Sequence, residues 1–131
     1  MIVADTHIII WKALKPEMLS ENAKKAIFSA NRKEGIIFCE ISLWEIAMLM
    51  QKKRIRVDSD YQDFIKLLMQ SERYVLHGIT PEIADCSVQF PPGVSKDPAD
   101  RIIAATSVIE KAALVTADNS LRHAKNIKTI W

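Results

Sequence analysis

Glycine and proline are scarce, with three and five residues in a chain of 131. That excludes collagen-like and low-complexity chains and argues against a loop-rich architecture. Cysteine is nearly absent too: Cys39 and Cys86 stand far apart. They form neither a close-spaced zinc pattern nor a disulfide framework, so free thiols in a reducing compartment are expected. Neither sign of charge dominates. Eighteen basic and sixteen acidic residues leave a net +2, too little to announce a nucleic-acid binder by itself. No apolar run approaches the roughly 20 residues of a membrane span. The N-terminal run is interrupted by Asp5 and His7 and has no basic region ahead of it. A cytoplasmic protein without membrane association is expected.

What remains is a chain that can build a core. Hydrophobic residues make up 49% and charged residues 26%, the balance of a globular protein rather than a disordered one. The length fits a single domain over residues 1–131, and no repeat or linker interrupts it.

Short apolar runs alternate with helical patterns. Ile2-Val3-Ala4 reads as a buried strand leading into a short helix that ends near Lys15-Pro16. Ser20 is placed to cap a helix from Glu21 to about Lys33, with Gly35 as its stop. Ile36 to Cys39 reads as the second strand. A helix opened or capped by Ser42 follows it through Leu43, Trp44, Ile46 and Leu49. Another helix runs from Ser59 or Asp60 to about Ser71, and Tyr74-Val75-Leu76 forms a weak third strand. Thr80-Pro81 and Asp97-Pro98 each carry an N-cap followed by proline at the first helical position. Ala113 to Val115 is a strand. A short helix from Ser120 to Lys125 and a last strand from Ile127 to Trp131 complete the chain. Such alternation predicts an α/β fold, with a mainly parallel central sheet flanked by helices in three layers.

In a parallel sheet, ligands bind beyond the carboxyl ends of the strands. Acids occupy those junctions here: Asp5 after the first strand, Glu45 early in the helix after the second, Asp97 and Asp100 at a helix mouth, Asp118 after the Ala113 to Val115 strand. Individually each has a plain structural reading. Asp5, Asp97 and Asp118 could cap or turn the chain, Asp100 could favour its helix dipole, and Glu45 could pair with Lys52 or an arginine. Gathered on one edge, several carboxylates could not all stay ionised without a counter-charge. Carboxylate oxygens suit Mg²⁺ or Mn²⁺. Such a site serves phosphodiester hydrolysis by holding the phosphate, activating water and neutralising developing charge. Lys52, Lys53, Arg54 and Arg56 could follow a nucleic-acid backbone, or merely complement a helix end. His7, His77 and His123 read as surface or packing residues, and Trp11, Trp44 and Trp131 as packing.

Ala4-Asp5-Thr6-His7 with Trp11, Ser42-Leu43-Trp44-Glu45-Ile46, Asp97-Pro98-Ala99-Asp100-Arg101 and Leu114-Val115-Thr116-Ala117-Asp118 together resemble the PIN-domain ribonucleases. The closest resemblance is to the VapC-type toxins of prokaryotic toxin–antitoxin pairs, and it spans the whole chain in order. It implies a PIN-like fold and a Mg²⁺- or Mn²⁺-dependent endoribonuclease with Asp5, Glu45, Asp100 and Asp118 as its catalytic acids. Asp5 and Asp100 would be the principal metal ligands, Thr116 would orient the site and Asp97 would support Asp100. It also implies an RNA substrate, a small cognate antitoxin and a homodimer. Ser95-Lys96 and Ala99 stand where many relatives carry a histidine and an aromatic, and no glycine follows the Glu45 helix. A catalytically silent PIN-like module that binds RNA or a partner is the alternative. A phosphoryl-accepting receiver-like domain fits less well, since no second acid adjoins the first strand.

Overall fold

The computed structural model describes residues 1–131. In chain order the elements are β1 (Ile2–Ala4), α1 (Thr6–Leu14), a 3-10 turn (Pro16–Met18), α2 (Glu21–Asn31), β2 (Ile36–Cys39), α3 (Glu40–Gln51), α4 (Tyr61–Ser71), β3 (Tyr74–His77), α5 (Pro81–Gln89), α6 (Pro98–Glu110), β4 (Ala113–Val115), α7 (Asn119–Arg122) and β5 (Thr129–Ile130). The five strands form one parallel sheet in the order β3-β2-β1-β4-β5. Helices cover both faces, as the continuous apolar strands require.

Alternation along each strand separates the two halves of the core. Ile2, Ala4, Ile36, Phe38 and Val115 face α1, α2, α3 and α4 through Ile9, Ile27, Ile46, Phe64 and Leu68. Val3, Ile37, Cys39 and Leu114 face the other layer, packing on Ile103 and Ala104 of α6 and Leu121 of α7. No helix is long and apolar enough to cross a membrane.

Two features of the sheet place the functional edge. Its order reverses at β1, which has β2 on one side and β4 on the other. A reversal of this kind opens a crevice beyond the strand ends. The register is also level: Ala4 lies opposite both Phe38 and Val115. The residues that leave the sheet next, Asp5 and Thr116, therefore emerge side by side. The Asp5 amide donates to Val115 O at 3.1 Å and carries the ladder one step into the crevice.

Local signals explain most element boundaries. Ser20 Oγ accepts from Ala23 N, Asp60 Oδ1 from Asp63 N and Thr80 Oγ1 from Ile83 N, so each of these residues caps its helix. Gly35 follows α2 with φ +100°, where a Cβ would lie 2.6 Å from the carbonyl oxygen of Arg73. Both the backbone angle and the contact demand glycine.

Four expectations are corrected. Ser42 does not cap or open α3: the helix begins at Glu40 directly after β2, with Cys39 at the cap position, and Ser42 is fully buried in its first turn. Helix α7 starts at Asn119, because Asp118 supplies the cap two residues before Ser120, and it ends at Arg122. The last strand shrinks to Thr129–Ile130, which pair with Leu114 and Val115. Trp44 is not a packing residue. It is 59% exposed, on the side of α3 turned from the sheet, whereas Trp11 and Trp131 are half-buried with ring centroids 6.0 Å apart.

Candidate active site

All five predicted acids, Asp5, Glu45, Asp97, Asp100 and Asp118, line one cavity of about 280 Å³, together with His7, Trp11 and Ala117. It opens at the carboxyl edge of β1 and β4. A larger cleft of about 560 Å³ lies elsewhere, between the end of α1 and α4; it is lined by Lys12 and Arg56 and contains none of these acids.

Each acid is held by a backbone amide or hydroxyl donor, some local and some from a distant element. Asp5 is buried and caps α1, its Oδ1 accepting from Thr6 N at 2.8 Å. Thr116, level with it just beyond β4, donates its hydroxyl to Asp5 Oδ2 at 2.6 Å and accepts from Asp118 N at 3.0 Å. Glu45 is buried one and a half turns into α3, and its Oε1 accepts from Thr6 Oγ1. The Thr6 hydroxyl also lies 2.7 Å from Ser42 Oγ. Thr6 has one proton, and an ionised Glu45 can only accept. Ser42 must therefore donate to Thr6, and Thr6 to Glu45.

The mouth of α6 is built by Asp97 and Ser95. Asp97 Oδ1 accepts from Ala99 N at 2.9 Å and caps the helix. Ser95 Oγ accepts from Asp97 N and donates to Asp100 Oδ2, each at 3.1 Å. Arg101 holds the preceding segment in place by donating to the carbonyls of Ser87 (2.9 Å), Ser95 (2.7 Å) and Phe90. Asp118 caps α7: its Oδ1 accepts from Leu121 N at 3.1 Å and from Ser120 Oγ at 2.6 Å.

Glu45, Asp97 and Asp100 form the tightest trio, with one carboxylate oxygen from each lying within 4.8 Å of the others. Asp5 and Asp118 border the same cavity outside that trio. The family resemblance implies Asp5 beside Asp100 as a principal ligand and Asp97 in support. The geometry draws Asp97 into the central group and leaves both oxygens of Asp5 hydrogen-bonded.

The electrostatics are those of crowded, unpaired carboxylates. No salt bridge reaches any of the five. The alternative Lys52 or arginine partner for Glu45 is not there, and its partner is the Thr6 hydroxyl instead. Burial pushes Asp5 upward, against the pull of the Thr116 and Thr6 bonds. Burial also raises Glu45, with Asp5 adding to it. Asp100 is pushed up to about 7, by burial first and then by the charges of Asp5 and Asp97. Hard oxygen donors at close range and no internal cation suit Mg²⁺ or Mn²⁺, so the residues fit such an ion.

Other assignments divide. Lys52, Lys53, Arg54 and Arg56 are all exposed and lie outside the acid cavity. Lys52 stands seven residues beyond Glu45, roughly 10 Å further along α3. His7 is a surface residue as expected, yet it also lines the cavity, with its ring 5.9 Å from Trp11. Their i, i+4 spacing was the available signal. The hydroxyls of Thr6, Ser42, Ser95 and Ser120 were not singled out for the site.

Residues 2–127 match the family described as PIN domain. The chain is 33% identical over 132 aligned positions to Ribonuclease VapC22 of Mycobacterium tuberculosis, covering 99% of this chain and 98% of that protein. Among solved structures it is similar to a chain of VapBC2 from Rickettsia felis, bound there to a DNA fragment from their promoter. The TM-score is 0.73 at 18% identity, with 98% of this chain and 97% of that one covered. A toxin–antitoxin complex from Klebsiella pneumoniae is similar at a TM-score of 0.65 and 18% identity, covering 97% and 95%.

Proposed function

This chain belongs to the PIN domain family, and from that premise we propose that it is a metal-dependent endoribonuclease acting as the toxin of a toxin–antitoxin pair. The observation that carries this reading is the meeting of Asp5, Glu45, Asp97, Asp100 and Asp118 in one cavity at the crevice of the sheet. Similarity to a named ribonuclease along nearly the whole of both chains supports the substrate class. The catalytically silent alternative would be marked by a missing acid, and none is missing.

Mg²⁺ or Mn²⁺, when bound, supplies the counter-charge and Lewis acidity that phosphodiester hydrolysis needs. The chain's own residues do the rest. Glu45 Oε2, Asp97 Oδ2, Asp100 Oδ1 and Asp118 Oδ2 accept no hydrogen bond within the protein, which leaves one oxygen of each for a ligand. Thr116 and Thr6 hold Asp5 and Glu45 at fixed angles. A carboxylate facing the cavity orients an attacking water and takes its proton. The exposed cations Lys52, Lys53, Arg54 and Arg56 would contact RNA phosphates away from the acids. In this reading residues 1–131 form a single nuclease domain that works in the cytoplasm as a homodimer. A small cognate antitoxin inhibits it; the toxin–antitoxin complexes among its structural neighbours support that partner.

Purified protein and structured RNA test the reading. Cleavage should require Mg²⁺ or Mn²⁺, stop with a chelator, and vanish in Asp5→Asn and Asp100→Asn while both variants keep their helical circular dichroism. Cleavage that persists in chelator, or full activity in both variants, would refute it.

A further inference from the structure

Beside the acids lies a second cavity, of about 470 Å³, between residues 90–94 and α7. Its volume falls in the ~300–1,000 Å³ range of small-molecule sites. Both of its walls run into the acid cluster. On one side Val94 precedes Ser95, whose hydroxyl donates to Asp100 at 3.1 Å. On the other, Ser120 lines the cavity and donates to Asp118 at 2.6 Å. The two cavities are thus joined through the Ser120–Asp118 and Ser95–Asp100 hydrogen bonds, one residue of wall apart.

The lining has the chemistry of a nucleobase site. Phe90 supplies a half-buried aromatic ring, steadied by the Arg101 guanidinium 5.9 Å from its centroid. The side-chain amides of Asn119 and Asn126 line the cavity and make no hydrogen bond within the protein. Each offers a donor and an acceptor, the pair that reads a base edge. Lys125, also in the lining, forms no ion pair and complements a neighbouring phosphate. Unpaired RNA bases are recognised by this combination of an aromatic face and edge hydrogen bonds.

We propose that this cavity is a subsite for the unpaired base and ribose of the nucleotide adjoining the scissile phosphate. The subsite helps select where RNA is cut, and it rests on the nuclease reading above. Asn119 and Asn126 read the base edge, Phe90 packs against its face, and Lys125 contacts the phosphate beyond.

Nucleosides test the subsite without requiring cleavage. Isotope-labelled full-length protein is titrated with adenosine, guanosine, cytidine and uridine, and with ribose as the base-free control. The side-chain amide signals of Asn119 and Asn126 should shift with at least one nucleoside and not with ribose. Asn119→Ala/Asn126→Ala should weaken that binding by about fivefold or more. On RNA, Lys125→Glu should raise KM. Amides unmoved by every nucleoside, equal responses to nucleoside and ribose, or undiminished binding by the double variant would overturn the subsite. RNA cleavage measured in parallel separates the two proposals. Protein that binds a base as described but never cuts RNA keeps the base-binding cavity and loses the nuclease, and with it the cavity's part in cleavage; protein that cuts RNA with both amides unmoved keeps the nuclease and loses the subsite.

Discussion

Asp100→Asn should stabilise the protein in chelator near pH 8 while abolishing its response to Mg²⁺. In the native protein the Asp100 carboxyl ionises at about 7, up from 3.8, because it is part-buried and faces Asp5 and Asp97. An acid raised in this way contributes stability below its unfolded value, near pH 4, and loses it as pH climbs through the folded value. Above about pH 7 the full penalty is present. Each pH unit is worth about 1.4 kcal/mol, so the difference between 3.8 and 7 corresponds to some 4 kcal/mol. Asp100 is open to solvent on one side, and screening reduces this by roughly half, to about 2 kcal/mol. Asparagine is isosteric, keeps an oxygen for the Ser95 hydroxyl, and carries no charge. For a chain of this length 2 kcal/mol is a rise in Tm of roughly 6–10 °C. Thermal melts followed by circular dichroism in chelator should show the two proteins together near pH 4, diverging through pH 6 and furthest apart near pH 8. Mg²⁺ should raise the native Tm most at high pH, where binding displaces the fewest protons, and leave the variant nearly unmoved. A variant less stable than the native protein at pH 8 in chelator would refute the electrostatic account of the site.

Thr116→Val removes the hydroxyl bound to Asp5 and should lower RNA cleavage roughly 10- to 100-fold with little change in Tm; kinetics alongside a melt check both. Arg101→Ala frees the carbonyls of Ser87, Phe90 and Ser95 and should cost about 3 kcal/mol in urea unfolding. Lysine, lacking the fork, should not restore it. Asp97→Ser retains a cap for α6, so stability should hold within about 0.5 kcal/mol, while loss of its free oxygen weakens Mg²⁺ binding at least tenfold by calorimetry. Gly35→Ala forces a Cβ against the Arg73 carbonyl at positive φ and should destabilise by roughly 1–3 kcal/mol in denaturant titration.

Local signals make much of this molecule legible in its sequence. Apolar runs ending in an acid located Asp5 and Asp118, and Asp-Pro located the start of α6, because strand ends and helix caps depend on neighbours a few residues away. Glu45 was legible as a charge inside an apolar helix, which calls for a partner. Its actual partner was not: Thr6 lies 39 residues earlier, and nothing in a lone threonine says which distant carboxylate its hydroxyl meets. Ser42 misled for a related reason. Its residue type suits a cap, but β2 passes into α3 without a loop, so the serine falls inside the first turn and donates to Thr6. The nearly all-round apolar pattern of α3 also concealed which side faces the sheet, and so hid the exposure of Trp44. The cavity beside α7 left no pattern at all, since its walls come from segments some 25 residues apart.

Capping explains how the chain tolerates so many acids at one edge. Asp5, Asp97 and Asp118 are the N-caps of α1, α6 and α7. Each gives one oxygen to a backbone amide at a helix start, where a free N–H would otherwise go unmet. The cap contributes about 1 kcal/mol of stability, and the positive ends of α1 and α6, with nine and thirteen residues, partly offset the negative charge. Glu45 and Asp100 have no cap to make. They lie within their helices and depend on hydroxyl donors, Thr6 and Ser95, and they are among the acids whose affinity for protons is raised. The residues that start the helices thus set the edge of the cavity, and the two that do not carry much of its electrostatic strain. A cation placed among them would relieve that strain without disturbing a single cap, because Asp97 and Asp118 cap with one oxygen and keep the other free.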